Sequence, residues 1–191
     1  TLNCANYIPI KLVEHAMKVL ERVLTNRLQD IIHIDEMQRG FVAGRSTTDA
    51  VFIVRQILEK FLEKHKSIWL AFVDLEKAYD RVARELVWWA LRKKLVPENL
   101  TALIRTLHQD PVSIVKTAVG NTDAFGVEVG VHQGSVLSPL LFIIVVNEIT
   151  KDIKQGLLWK ILFSDDLILM ANSEEELRNK LLLWKNTMEE K

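Results

Sequence analysis

The stretch Phe163-Ser164-Asp165-Asp166 places two adjacent acidic residues between apolar segments, and it constrains the fold more than any other part of the chain. Residues 157–162 precede it and residues 167–171 follow it, and both segments favour burial. An ionised carboxylate without a partner is unfavourable beside apolar residues, so the pair requires a bound cation or a solvated turn. The pattern therefore predicts a β-hairpin over Ile161 to Met170 with the acidic pair in its turn.

A second acidic position, Asp74, ends the apolar run of residues 68–73. This run is short, rich in aromatic and branched residues and apolar on both alternating faces, which is typical of a central strand covered on both sides. Three carboxylates at strand ends indicate a metal site, because magnesium prefers oxygen ligands. Each acidic position alone is equally compatible with a solvated turn or a helix cap, since Asp is common in turns.

Apolar periodicity predicts the remaining elements. Helical spacing or capping signals indicate helices over about 10–32, from Ser46 or Thr47 to about 65, over about 84–95, after Pro97, from Pro139 to Glu148, and after Ser173. Strand patterns at 112–119 and 124–131 flank a predicted turn at 120–123. The expected fold class is α+β, with helices packed against a small antiparallel sheet that presents acidic strand ends.

Composition narrows the functional classes without deciding between them. With 191 residues, 49% of them hydrophobic, the chain can form one sizeable core. Twenty-five basic and twenty-five acidic residues leave no net charge, so binding of nucleic acid would depend on local patches or on metal. A single cysteine excludes an internal disulfide, and no apolar run reaches the roughly 20 residues of a membrane helix. We expect an intracellular protein, in the nucleus or the cytoplasm, with no membrane contact.

A third segment, residues 130–139, combines two glycines with Gln133 and a Ser138-Pro139 helix start. Glycine lets backbone approach a ligand closely, and a Gln side chain can bind a base or sugar edge through hydrogen bonds. By itself this is an ordinary loop.

Five blocks in this order resemble reverse transcriptases of the non-LTR retrotransposon type, with group II intron enzymes as relatives. The blocks lie at residues 6–12 (NYIPIKL), 38–47 (QRGFVAGRST), 71–80 (AFVDLEKAYD), 130–142 (GVHQGSVLSPLLF) and 163–166 (FSDD). The resemblance covers nearly the whole chain, and five ordered blocks are far more specific than one pair of aspartates.

The resemblance implies an RNA-directed DNA polymerase that uses Mg²⁺, or Mn²⁺ in its place, to join dNTPs to a DNA or RNA primer on an RNA template. Asp74 and Asp165 match the principal metal-binding aspartates, and Asp166 matches the third. Tyr79 matches the aromatic residue beneath the sugar of the incoming nucleotide, although core packing beside Ala78 is the alternative. The remaining matches are loop or basic residues expected to contact nucleotide or template, with a solvated surface role nearly as consistent for the last two: Gln133, Gly134, Lys11 and Arg45.

The same resemblance implies a polymerase palm over residues 68–191, preceded by partial fingers over residues 1–67, with the thumb absent. The sequence does not indicate an oligomeric state. It has no initiator methionine and ends within a helical pattern, so we expect an excised piece that is weakly active or inactive alone.

Three departures from the family pattern bear on activity. Ile8 replaces an Arg that could contact the triphosphate, Phe163 and Ser164 replace Tyr and Ala, and the chain ends before the primer grip. Ile8, the neutral net charge and the early end of the chain motivate a second hypothesis, a degenerate or domesticated copy that binds nucleic acid or protein without catalysis. Retention of all three aspartates argues against decay. A third hypothesis is another palm-type enzyme, such as a nucleotidyl cyclase, whose sheet also presents paired carboxylates. The finger-like blocks before Asp74 argue against it.

Overall fold

The computed structural model describes residues 9–109, 111–151 and 160–190. The helices in these ranges are α1 His15–Ile31, α2 Thr47–Glu63, α3 Ala78–Arg81, α4 Arg84–Lys93, α5 Glu98–Leu107, α6 Ser138–Ile149 and α7 Glu174–Glu189. The strands are β1 Trp69–Asp74, β2 Val112–Ser113, β3 Lys116–Thr117, β4 Gly120–Asn121, β5 Phe125–Gly126, β6 Lys160–Phe163 and β7 Asp166–Ala171. The mixture of helix and antiparallel strand confirms the predicted α+β class.

The chain divides into two packing units whose segments alternate in the sequence. The first unit comprises Thr1–Ile32 and Lys77–Ser138, and the second comprises His33–Glu76 and Pro139–Lys191. The predicted fingers-like region, 1–67, and palm, 68–191, are instead continuous segments. Their assignment stays a prediction.

A three-stranded antiparallel sheet organises the second unit, with the strand order β1-β7-β6. The predicted hairpin is confirmed as β6 and β7, joined by the two turn residues Ser164 and Asp165. Ser164 takes a positive φ of 60°, which allows the chain to reverse within two residues. Residues 37–39 extend the sheet on its other side, because Arg39 N donates to Leu162 O at 2.7 Å.

The prediction that the strand at 68–73 is central was wrong. β1 lies at the edge of the described sheet, and Phe72 is 72% exposed. β7 is the central strand, and it buries Leu167, Leu169 and Met170. Apolar residues on both faces of β1 therefore reflect a partly exposed edge, which periodicity cannot distinguish from a covered central strand.

Helices cover this sheet through an apolar core. Ala50 of α2, Ile161 of β6 and Met170 of β7 form its buried centre, and partly buried residues surround them: Ile53, Val54, Ile57, Ile68, Leu70, Phe163 and Ile168. α7 packs against β7 and β1. α2 begins with a capping box in which Ser46 Oγ accepts from Asp49 N and Asp49 accepts from Ser46 N, as the predicted start requires.

The first unit is built on helices and short β-ribbons. α4 packs on α5, burying Val87, Trp88, Leu91 and Ile104. The predicted strands at 112–119 and 124–131 are present only as two-residue pairs, β2 with β5 and β3 with β4. The turn lies at Ala118 and Val119 rather than at 120–123, because Thr117 pairs directly with Gly120. Exposed apolar residues on this ribbon leave little packing to extend the pairing.

Sequence periodicity located the other helices within a few residues. α3, a single turn, was missed because four residues are too short for a periodic signal. α6 is apolar around its circumference and is buried from Leu140 onward. Within the described residues, no helix combines the length and apolar character needed to cross a membrane.

Candidate active site

Two carboxylates of the second unit face each other across adjacent strands. Asp74 at the end of β1 is the direct antiparallel partner of Asp166 at the start of β7. Opposed residues of this kind have Cβ atoms about 5 Å apart. Asp165 immediately precedes Asp166 and lies in the hairpin turn. The sheet therefore brings the three predicted aspartates together where β1 ends and β7 begins, a place called the acidic edge below.

The electrostatics of this edge favour a cation. Desolvation raises the pKa of Asp166, and the negative charges of Asp165 and Asp74 raise it further. Like charges close together disfavour the ionised form, and a divalent ion removes that penalty. The donors are carboxylate oxygens, which suit magnesium or manganese rather than a metal that prefers sulfur or imidazole.

Across residues 9–109, 111–151 and 160–190, no group of three or more His, Cys, Asp or Glu side chains is arranged so that it could hold a metal ion by itself. Magnesium often binds through one or two carboxylates together with substrate phosphates. The carboxylates present therefore fit an ion that takes its other ligands from a nucleotide.

The turn of Ser164 and Asp165, called the acidic turn below, packs against residues 38–40. The sequence analysis predicted no function for these three residues. Gln38 is 1% exposed, and its Oε1 accepts from Ser164 N at 3.0 Å and from Gly40 N at 2.9 Å. A Cβ added to Gly40 would collide with the backbone nitrogen of Ser164 and meet the Phe163 carbonyl carbon at 3.0 Å. Gln38 and Gly40 belong to the second sequence block, residues 38–47, but the sequence alone does not show that they contact Ser164.

Three predicted nucleotide-contacting residues lie together in the first unit. Lys11 N donates to Gln133 O at 2.8 Å. Gly134 has a φ of 98°, and an added Cβ would collide with the carbonyl oxygen of Lys11. Only glycine suits both conditions, because other residues disfavour this φ and there is no room for a side chain. The loop and Lys11 therefore form one local structure.

The Lys11 ammonium lies beside two stacked imidazoles. Its Nζ is 3.3 Å from His132 Nε2, and the His132 and His108 rings stack with centroids 5.0 Å apart. Burial, aided by the positive charge of Lys11, lowers the pKa of His132 to about 4. His132 is therefore neutral at pH 7, and its Nε2 accepts a hydrogen bond from Lys11. Burial, with the charge of Arg84, also lowers the pKa of Lys11.

Tyr79 lies on α3, whose backbone is fixed against the segment leading to Gln133. Val131 N donates to Tyr79 O at 2.8 Å, and Gly130 N donates to Val82 O at 3.1 Å. Gly130 has a φ of 85°, and a Cβ there would meet Tyr79 O at 2.8 Å. The half-buried tyrosine is thus held at a fixed position relative to the loop that contains Gln133 and Gly134, called the glutamine loop below.

Glu21 supports the same loop and was missed by the sequence analysis. This buried carboxylate of α1 accepts from Ser135 Oγ and from Val136 N, both at 2.8 Å. The available signal was a charged residue on the apolar face of α1, next to Leu24 and Leu28. Charged residues in such positions are rarely buried without a partner.

Arg45, in the second unit, binds backbone rather than standing free. Its Nη1 donates to Asp35 O at 2.7 Å and to Gln38 O at 2.6 Å. These bonds stabilise the loop before α2, and a contact with phosphate stays a prediction. Ile8, the departure in the first block, lies outside the described residues.

The sequence model of the family described as "Reverse transcriptase (RNA-dependent DNA polymerase)" matches residues 3–191. The chain belongs to this family. It is 24% identical over 189 residues to the Pol polyprotein of the type-1 retrotransposable element R2 of Nasonia vitripennis, covering 95% of this chain and 18% of that protein. It is 32% identical over 143 residues to the probable RNA-directed DNA polymerase from transposon X-element of Drosophila melanogaster, covering 72% and 16%. The predicted relationship to retrotransposon enzymes is confirmed, and the chain spans less than a fifth of these relatives.

Solved structures support the same fold. Telomerase from Candida albicans, in complex with a fragment of telomeric RNA, superposes with a TM-score of 0.61 at 16% identity, covering 87% of this chain and 31% of that one. Apo telomerase from Candida tropicalis, truncated from its C-terminal domain, gives 0.61 at 15% identity, covering 88% and 36%. At these identities the likeness establishes a reverse transcriptase-like fold and nothing more specific.

Proposed function

We propose that this chain is the catalytic core of an RNA-directed DNA polymerase of a retrotransposon, which extends a primer with dNTPs on an RNA template. The primer 3′-hydroxyl oxygen forms a bond to the α-phosphorus of the dNTP. The bond from that phosphorus to the bridging oxygen breaks, pyrophosphate leaves, and the hydroxyl proton passes to solvent. The assignment of residues 1–67 to fingers and 68–191 to palm belongs to the same proposal.

The observation that supports this chemistry most directly is the pairing of Asp74 with Asp166, with Asp165 beside them in the turn. Bound at this edge, two Mg²⁺ or Mn²⁺ ions would neutralise the charge that develops on the attacking and leaving oxygens. Asp74 and Asp165 are the principal ligands in this proposal, and Asp166 contributes less directly. In this role each aspartate provides carboxylate oxygens as metal ligands and does not itself transfer a proton.

The residues of the first unit would select and orient the nucleotide. Tyr79 would lie beneath the sugar and exclude a ribose 2′-hydroxyl, and Gln133 and Gly134 would contact the nascent pair and the template. Lys11 would approach the phosphates, because a cationic donor forms short hydrogen bonds with phosphate oxygens. The fixed backbone of α3 and of the glutamine loop supports such roles, since a contact surface must be preorganised to discriminate.

The test is primer extension with the protein at the length its gene encodes. Asp165→Asn keeps the shape of the side chain and removes the charge that the cation requires, so incorporation of dNTPs should fall by roughly a hundredfold or more. Asp30→Asn, an exposed acid on α1, is the matched control and should retain parental activity. Undiminished incorporation by the Asp165 variant, with a normal melting curve, would exclude the proposed chemistry.

A further inference from the structure

A second functional segment lies against the acidic turn. Residues 37–40 belong to a block whose only assigned functional residue was Arg45. Met37 O accepts from Leu162 N at 3.0 Å, and Arg39 N donates to Leu162 O at 2.7 Å. This pairing places Gln38 beside Leu162 of β6, the strand that leads into the acidic turn.

The Gln38 side chain bridges two backbone amides with one buried atom. Both partners, Ser164 N and Gly40 N, are donors, so the atom facing them must be the amide oxygen. Ser164 immediately precedes Asp165. Its positive φ sets the direction of the turn, and its N–H loses the Gln38 acceptor if residue 38 is replaced by an apolar one.

Gly40 provides an independent constraint on the same turn. The turn backbone approaches so closely that a Cβ on residue 40 would overlap Ser164 N and lie 3.2 Å from Ser164 Cα. The atoms in conflict are backbone atoms, which cannot rotate away as a side chain could. Glycine at position 40 therefore lets the turn settle directly on the supporting segment.

We propose that Gln38 and Gly40 are positioning residues for the metal-binding turn, which hold Ser164 so that Asp165 is presented in a fixed direction. The inference rests on the proposed metal site. Neither residue touches the metal or the substrate in this role. A shift of about 1 Å in a ligand's backbone is enough to impair a site whose ions have strict geometry.

The experiment measures Mn²⁺ alone, with no nucleotide, by the electron paramagnetic resonance signal of the free ion. Gln38→Met removes the acceptor at similar side-chain length, and Gly40→Ala displaces the turn. We expect either change to raise the Kd for Mn²⁺ by about tenfold. Gln38→Glu keeps an acceptor oxygen and adds a negative charge that favours a cation, so it should bind at least as well as the parent.

Controls separate positioning from general destabilisation. Ile143→Ala removes buried apolar volume from α6 and should lower the melting temperature without changing the Kd. Equal losses in Ile143→Ala and Gln38→Met would overturn the proposal, as would a loss in Gln38→Glu equal to that in Gln38→Met. If the parental protein and Asp165→Asn bind Mn²⁺ equally, the proposed metal site fails instead.

One measurement needs no variant and covers the case in which Gln38→Met does not fold. The amide of Ser164 should exchange slowly with solvent in the metal-free parental protein, because its acceptor is a buried side chain. Amide exchange of Ser164 at the rate of an open turn would overturn the proposal.

Discussion

His132 shows how a single residue acquires its properties from its neighbours. The ring stacks on His108 and accepts from the Lys11 ammonium, so a proton on it would face two further cationic or cationisable groups and the nearby Arg84. The neutral form is therefore part of the folded structure. An imidazolium at this position would repel Lys11 and disturb the residue that binds Gln133.

The first prediction concerns the pH dependence of stability. The pKa of His132 is about 4 in the folded chain and about 6.5 when unfolded, so the unfolded state takes up the proton first as the pH falls. The contribution of the neutral His132 ring to the free energy of unfolding is fully present above pH 6.5 and declines as the pH falls towards 4. We expect a loss of about 1 kcal/mol between pH 7.5 and 5, less than the full shift implies because solvent screens the half-exposed ring.

Urea denaturation across this range provides the measurement. His132→Gln should flatten the profile, whereas His15→Gln, on an exposed position of α1, should leave it unchanged. His108 contributes with the same sign, because burial also lowers its pKa. A profile that remains equally steep in His132→Gln would show that this ring is not responsible.

The second prediction concerns Tyr79 and the sugar of the nucleotide. If the ring excludes a 2′-hydroxyl, Tyr79→Ala should raise the use of rNTPs relative to dNTPs by about tenfold to a hundredfold, because removing a clash relaxes discrimination. Primer extension with each nucleotide measures the ratio of kcat/KM values. A ratio unchanged in a folded, active variant would instead favour the packing role beside Ala78.

At the scale of elements, Arg84 links α4 to the segments around it. Its Nε donates to Gly130 O at 3.0 Å, its Nη1 to His108 O at 3.2 Å and its Nη2 to Val127 O at 2.6 Å. One planar guanidinium thereby connects the end of α5 with the approach to the glutamine loop. No periodicity predicts this role, because the three acceptors are backbone atoms 24 to 46 residues away.

The third prediction follows from that arrangement. Arg84→Met should destabilise the protein by about 2–4 kcal/mol, because it removes charge-assisted hydrogen bonds and leaves carbonyl groups without donors. Arg105→Met is the matched control, since that exposed side chain only approaches Glu85 at 4.0 Å, and it should change stability by less than about 0.5 kcal/mol. Equal effects in urea denaturation would contradict the role assigned to Arg84.

The elements themselves were largely predictable. α1, α2, α4, α5, α6 and the hairpin of β6 and β7 follow from apolar spacing and capping residues, which are local in sequence. The position of β1 in the sheet was not predictable, because the edge and the centre of a sheet differ in tertiary neighbours rather than in local pattern. Contacts such as Gln38 with Ser164 join positions 126 residues apart and leave no trace in spacing.

At the scale of the whole molecule, equal numbers of basic and acidic residues make bound ions the main possible source of net positive charge. The sequence has no net charge, so no long-range field concentrates a polyanion at its surface. The proposed polymerase must then gain affinity for nucleotide from local charges, and the largest of these would be divalent ions at Asp74, Asp165 and Asp166. Binding of such an ion should also be visible in the stability of the entire chain.

The last prediction is that Mg²⁺ or Mn²⁺ raises the melting temperature. An ion that binds only the folded state at ten times its Kd adds about 1.4 kcal/mol, equivalent to about 3–6 °C for a protein of this size. Asp74→Asn and Asp165→Asn should abolish the increase, whereas Asp30→Asn should retain it. In chelator, Asp74→Asn should melt no lower than the parent, because it removes repulsion with Asp166. If the metal raised the melting temperature equally in all the variants, the ion would bind elsewhere, and the stabilisation would not come from the acidic edge.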